Sequence, residues 1–404
     1  MGNDRRQLRH ALFATSLVQV LVTGFALALT PIAPRAALDF GVDAHLIGFQ
    51  ISLIYFAGAF GSAAAGTLLH RYGAIRVEQL ALGLLSVGIC LLATANLTAA
   101  VFASLLMGIS NGIQNPASAQ ILGRVSPPHR RNVVFSVKQA GVPVGAALAS
   151  VGFPLLDASI GWRAGFVLVA IGPLLLMGHL GRSYDRELRS DLAARTFVRG
   201  LLEDQRLVWR RAEIRVLALL GLVYSAAQLS LSAFAVLLLV EEGGWSLIAA
   251  AGVAGVMQLS GAIGRVFWGW LADRTGSGFA ILAFIGLGST TGMLVLPWIG
   301  DMAAAAQVAV FCMMGLCLSG WNGVMIAEVA HHSEPSMAGR AVGGALVYVF
   351  LGVTIGPSSF ALAFERIGQY GMTFAVIGAA TAAGCLAATA MAARRSALAK
   401  KPGA

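Results

Sequence analysis

The sequence predicts an all-α polytopic membrane protein whose twelve transmembrane helices form two pseudo-symmetric six-helix bundles. Three observations predict it. The composition is 57% hydrophobic and only 11% charged, with a mean hydropathy of +0.78, which is more apolar surface than a soluble core can bury. The apolar residues fall into twelve runs, each long enough to cross a hydrocarbon core of roughly 30 Å as a helix. The last six runs repeat features of the first six in the same order.

The runs lie at 12–31, 46–69, 77–94, 99–125, 132–156 and 162–180, then at 214–240, 247–272, 279–299, 303–329, 340–364 and 372–393. Closely spaced Gly, Ala and Ser in many of them suit helices packed backbone to backbone, and the period of two of a membrane β-barrel is missing. Residues 181–212 form the one long hydrophilic segment, which divides the chain into an N-terminal bundle at 1–180, this linker, and a C-terminal bundle at 213–404. In the linker Leu188, Leu192, Val198, Leu201 and Leu202 recur at nearly helical spacing among arginines. That pattern fits a basic amphipathic helix on the membrane surface as well as it fits a solvated linker.

The net charge of +10 does not call for a nucleic-acid partner, because the basic residues sort by side of the membrane. With a cytoplasmic N-terminus, every Lys and Arg except Arg35, Arg163 and Arg366 falls in an inner loop, a tail or the inner half of a helix. Both termini are therefore expected in the cytoplasm of a cell with the chain in its inner (plasma) membrane. Arg5, Arg6 and Arg9 ahead of the first run imitate a signal peptide, but the apolar stretch is too long for one and an uncleaved first helix is expected. Cys90, Cys312, Cys317 and Cys385 lie inside runs without metal-ligand spacing, so packing is their expected role.

An internal repeat supports the division. Ser16, Gln19, Phe25 and Ala26 of the first run recur at constant spacing as Ser225, Gln228, Phe234 and Ala235 of the seventh. Asn111-Gly112 of the fourth run, with Gly141 and Gly145 of the fifth, recur at a second constant spacing as Asn322-Gly323, Gly352 and Gly356. Repeats separated by an even number of spans share a membrane orientation, which is expected of two bundles related by an axis along the membrane normal.

After the second run the chain reads Gly66-Thr67-Leu68-Leu69-His70-Arg71-Tyr72-Gly73, and after the eighth Gly269-Trp270-Leu271-Ala272-Asp273-Arg274-Thr275-Gly276. The glycine permits close helix contact, the aspartate can face a helix N-terminus, and the arginine anchors a cytoplasmic turn. This pair resembles the G-x-L-A-D-R-x-G signature of the major facilitator superfamily, and the resemblance covers the whole chain. It implies bundles that rock around a midplane site without a cofactor, and a gating role for Gly66, His70, Arg71, Gly269, Asp273 and Arg274. In the family the motif acid closes the cytoplasmic side against a helix of the opposite bundle, here expected at the start of the fifth run near Asn132. The first copy departs from the signature, since His70 holds the position of the acid, and an asymmetric inner gate is expected.

Charges inside the runs are rarer, because Lys or Arg at a helix centre costs roughly 2.5–3.5 kcal/mol on insertion scales. Lys138 and Arg265 are the two present, flanked by small or polar residues (Gln139, Gly141; Gly261, Gly264) that suit a cavity wall better than a snorkelling side chain. Glu78, Asp157, Glu241 and Glu328 lie only at run ends, so the cavity reads as electropositive. Gln19, Asn111, Asn115, Gln139, Gln228, Gln258 and Asn322 offer neutral hydrogen-bond groups at comparable depth. The expected substrate set is Gln19, Asn111, Lys138, Gln139, Gln228, Arg265 and Asn322. The solute it fits is a small carboxylate-like organic anion, moved by proton symport or by anion exchange.

Arg265 ahead of Gly269 and Asp273 is also similar to the segment where oxalate and monocarboxylate carriers place a substrate-binding arginine. The competing reading is a proton-coupled drug or metabolite exporter of the same fold. Such exporters often carry Gly-x-x-x-Gly-Pro in the fifth span, whereas here that spacing occurs at Gly352 to Pro357 in the eleventh. Without carboxylates well inside the runs, a simple protein-borne proton relay is not expected. No nucleophile, acid–base pair or metal cluster converges as an enzyme would need, and His331-His332 reads as a solvated loop. The expected partners are the solute and the bilayer, with protons as a candidate coupling ion, around a monomer.

Overall fold

In the computed structural model the described residues are 2–42, 48–183 and 197–399. They hold twelve helical segments long and apolar enough to cross a membrane. These are Arg6–Ile32, Phe49–Tyr72, Ala74–Leu92, Leu97–Val125, Pro128–Ile160 and Trp162–Gly181, then Ala212–Glu241, Ala249–Thr275, Gly278–Asp301, Ala304–His331, Ala338–Ile367 and Tyr370–Arg395. They are called the first to twelfth spans below, and no strand occurs among the described residues.

Two compact units emerge. The first gathers Met1–Ser126, Lys138–Arg210 and Ala330–Phe350, and the second Pro127–Val137, Arg211–Val329 and Leu351–Ala404. A cut at the linker alone therefore differs from the packing at the starts of the fifth and eleventh spans.

Glycine contacts show why each unit closes. In the first unit a Cβ at Gly61 would strike the Ile109 carbonyl, and one at Gly108 the Ile54 carbonyl, so the second and fourth spans meet backbone to backbone. In the second unit Gly264 lies against the Leu316 carbonyl and Gly315 against the Met257 carbonyl in the same way. Gly141 packs on Ser16 and Gln19 in the first unit, and Gly352 packs on Leu222 and Ser225 in the second. The repeat is thus a repeat of contacts. One register changes, because Gly108 is the packing equivalent of Gly315, and this sets Asn322 one turn beyond the equivalent of Asn111.

Several spans are interrupted, and prolines explain two cases. The fifth span is Arg131–Gln139 followed by Gly141–Ile160, since Pro143 has no N–H to offer the Gln139 carbonyl. The sixth is Trp162–Val169 followed by Ile171–Ser183, with Pro173 just beyond and the Ser86 hydroxyl donating to the Ala170 carbonyl at 2.9 Å. The tenth breaks at Ser319-Gly320 between Ala304–Leu318 and Trp321–His331. The first span, expected to end near Pro31, continues through the short turn Thr30–Ile32 into the helix Ala33–Phe40. Arg163, one of the three basic residues outside the charge pattern, donates to the Ala93 and Thr94 carbonyls at 2.9 and 3.0 Å, where the third span ends.

Of the linker, residues 184–196, with Leu188 and Leu192, lie outside the described residues. The described part forms the helix Phe197–Arg210, called the linker helix. It is neither solvated nor merely laid on a surface: Asp204 and Val208 are buried, and Trp209 Nε1 donates to the Tyr348 hydroxyl at 2.6 Å.

Candidate functional site

Buried polar side chains collect in each unit. In the first unit Lys138, 2% exposed, ends the first half of the fifth span beside the Pro143 break. Its ammonium donates to Gln19 Oε1 at 2.6 Å, to Gln114 Oε1 at 3.2 Å and to Asn115 Oδ1 at 2.5 Å. Gln114 Nε2 also donates to Gln19 Oε1 at 3.0 Å, and Gln19 Nε2 to Thr23 Oγ1 at 3.2 Å. Gly141 brings the first span close enough for this contact, since any larger residue would strike Gln19 and Ser16. The ammonium has three protons and three amide oxygens receive them, which satisfies its hydrogen bonds with dipoles.

The same unit corrects one expectation. Glu78 stands near a run end in the sequence, yet its residue is 0% exposed, and the Ser118 hydroxyl donates to its Oε1 at 2.5 Å. A carboxylate is therefore buried in the unit that holds Lys138. Glu328, near the end of the tenth span, is also buried, with Arg395 at 3.7 Å from its carboxylate.

In the second unit the Ser319-Gly320 break carries the polar cluster. Gln228 Nε2 donates to Ser319 Oγ at 3.4 Å, and Trp321 Nε1 donates to Gln228 Oε1 at 3.1 Å. Gly261 packs on Ser319, and Arg265, 5% exposed, follows one turn later on the eighth span. Asn322 is half-buried beside Trp321, as is Asn111 one turn before Asn115, and Gln139 is buried next to Lys138 in the chain. Gln258, expected among these groups, is exposed instead. Gln114, Thr23 and Ser118 were missed, although Gln114 carried the same signal as Asn111, a polar residue inside an apolar run. Trp321 carried no such signal, and in the sequence Glu78 reads as a charge at a run end.

The motif loops differ in chemistry. In the second copy the Asp273 carboxylate accepts the Asn132 backbone N–H at 2.9 Å, the Asn132 side-chain amide at 3.0 Å and the Val133 backbone N–H at 2.8 Å. It caps the start of the fifth span, and Gly269 leaves room for Ser136 on that helix. In the first copy a Cβ at Gly66 would collide with the Asp204 carboxylate of the linker helix. Asp204 Oδ1 accepts Arg340 Nε at 2.6 Å and Nη2 at 2.5 Å, at the start of the eleventh span. His70 lies half-buried one turn after Gly66. Arg71 and Arg274 are exposed and stack over Tyr72 and Trp270, 5.2 and 5.3 Å from the ring centroids.

Twelve apolar helices, a duplicated loop motif and buried polar clusters in both units define a multi-pass membrane transporter. Residues 15–357 match the Major Facilitator Superfamily, and the chain belongs to it. It is 28% identical to the 3-(3-hydroxy-phenyl)propionate transporter of Escherichia coli, over 76% of each chain. It is 25% identical to the gallate transporter of Pseudomonas putida, over 74% of this chain and 73% of that one. Its match to an uncharacterized MFS-type transporter of Mycobacterium tuberculosis, at 24% identity, spans 64% of this chain and 59% of the relative. The fold is similar to that of the E. coli fucose:proton symporter, with a TM-score of 0.75 and 17% identity over 95% of this chain and 98% of the other.

Proposed function

We propose that the chain carries a small organic carboxylate across an inner membrane, with both termini cytoplasmic, by alternating access of two bundles. Aromatic acids of the kind named for its relatives are the first candidates. The observation that supports this reading is the Lys138 ammonium, 2% exposed and held by three neutral amide oxygens. Amide dipoles orient the buried ammonium, and a carboxylate arriving from water is the kind of ligand that such a group favours. Gln19 and Gln228 occupy repeat-related positions, and Arg265 supplies the second buried cation. The motif residues Gly66, His70, Arg71, Gly269, Asp273 and Arg274 would serve the inner gate, with Asp273 holding the start of the fifth span through charge and hydrogen bonds.

Uptake of 3-(3-hydroxyphenyl)propionate into proteoliposomes tests the reading. Loss of a hydrogen bond to a charged group is worth about 1.5–3 kcal/mol, so Lys138→Ala and Arg265→Ala should each lower affinity about ten- to hundredfold while inserting normally. Normal transport by both variants would remove the anion reading and leave the fold untouched.

A further inference from the structure

We propose that Glu78 is the proton-binding group of this transporter and that its protonation releases the Lys138 charge to a carboxylate substrate. This rests on the reading of Lys138 as the anion site. Glu78 is the fifth residue of the helix Ala74–Leu92 and is 0% exposed. Ser118 donates to Oε1 at 2.5 Å, and Oε2 has no hydrogen-bond partner among the described residues. A carboxylate with one hydrogen bond and no access to solvent is costly to keep ionised, so a proton gained or lost there is a major electrostatic event.

The geometry joins this event to Lys138. Ser118 lies three residues after Asn115 and four after Gln114 on the fourth span, so all three share one helix face. Glu78 thus meets one end of a face whose other end accepts the Lys138 protons. Arg76, on the same helix as Glu78, is exposed at its start, and on the helices packed against it His70 and Arg124 lie at span ends and His179 is exposed near the end of the sixth span. Glu78 and Lys138 therefore reach the same face of the fourth span, one through Ser118 and the other through Gln114 and Asn115.

In the empty carrier, ionised Glu78 offsets Lys138 across that face. A proton from the aqueous phase then adds to a Glu78 carboxylate oxygen, giving the neutral acid and breaking no other bond. The negative charge of Glu78 is then gone from the Lys138 cluster, and one carboxylate anion enters there in its place. Proton and monocarboxylate leave together on the other side, so the cycle is electroneutral.

Calorimetric binding of 3-(3-hydroxyphenyl)propionate to purified protein, in buffers of different ionisation enthalpy, counts the protons taken up. The wild type should take up about one proton per anion, and its affinity should fall about tenfold per pH unit once Glu78 ionises. Glu78→Gln, a mimic of the neutral acid, should bind with no proton uptake and with affinity independent of pH. Ser118→Ala, which removes the one hydrogen bond to the carboxylate, should shift the pH midpoint of binding. Undiminished proton uptake by Glu78→Gln overturns this inference alone, and if that variant does not fold, an unshifted midpoint in Ser118→Ala does so. Absence of binding by the wild type overturns the anion reading of Lys138 and this inference with it.

Discussion

The two copies of the loop motif place a carboxylate on the motif glycine's face by different routes. In the second copy the acid belongs to the motif: Asp273 follows Gly269 by one turn and caps the start of the fifth span. In the first copy His70 holds that position, and the carboxylate against Gly66 is Asp204, brought by the linker helix and bound to Arg340 at the start of the eleventh span. A contact between charge and helix terminus in one unit has become a contact between two charges in the other. The element that persists is a carboxylate at the foot of a fifth- or eleventh-span helix, with the motif glycine packed against Ser136 in one copy and against the carboxylate itself in the other. The residue that supplies it can come from anywhere in the chain.

The comparison breaks most sharply at Asp204. Asp204→Ala leaves Arg340 only Glu203, at 3.8 Å, a loss of about 3 kcal/mol that should lower the thermal stability of detergent-purified protein by several degrees. Asp204→Ala with Arg340→Ala should recover part of that loss, and a single variant as stable as the wild type would mean that the linker helix does not hold the first copy. Next in size are the glycines. Gly66→Ala and Gly269→Ala overpack their contacts and should each cost about 1–3 kcal/mol. Only Gly66→Ala should become mild when combined with Asp204→Ala, a coupling that a double-mutant cycle measures directly.

Asp273→Asn keeps an acceptor and loses the charge at a helix N-terminus, an effect of about 0.5–1 kcal/mol that should shrink in high salt. The smallest change is expected from His70→Asp. An asymmetric gate read from the sequence would make this substitution strong, but Asp204 already occupies the seat. His70→Asp should leave melting temperature and inner-side accessibility labelling unaltered in the wild type, and should rescue Asp204→Asn. A large effect in the wild type would show that the first copy still lacks its acid.

Much of the fold was legible because spans are local. Hydropathy sums along the chain, and every expected run overlaps one span, with ends displaced where capping or an added turn intervened, as at Ala33–Phe40. The repeat was legible at Ser16, Gln19 and Gly141 because close helix contact tolerates so few residue types. It was misplaced by one turn at Asn322 because the identical Asn-Gly pair does not mark equivalent contacts: Gly315, not a residue one turn later, packs as Gly108 does. At the site, Lys138 and Gln19 stood out as polar residues in apolar runs, whereas Gln258 gave the same signal and is exposed.

By itself, then, the sequence determined the number of spans, the class of fold and the residues too polar to be idle in a membrane, since each depends on a chain segment meeting lipid. Only the tertiary structure decided that Glu78 is buried, that Gln114 completes the Lys138 cluster and that Asp204 does the work absent from His70. Those outcomes depend on which helix faces approach through glycines far apart in the chain, and a hydrogen bond forms only where that approach brings donor and acceptor within about 3 Å.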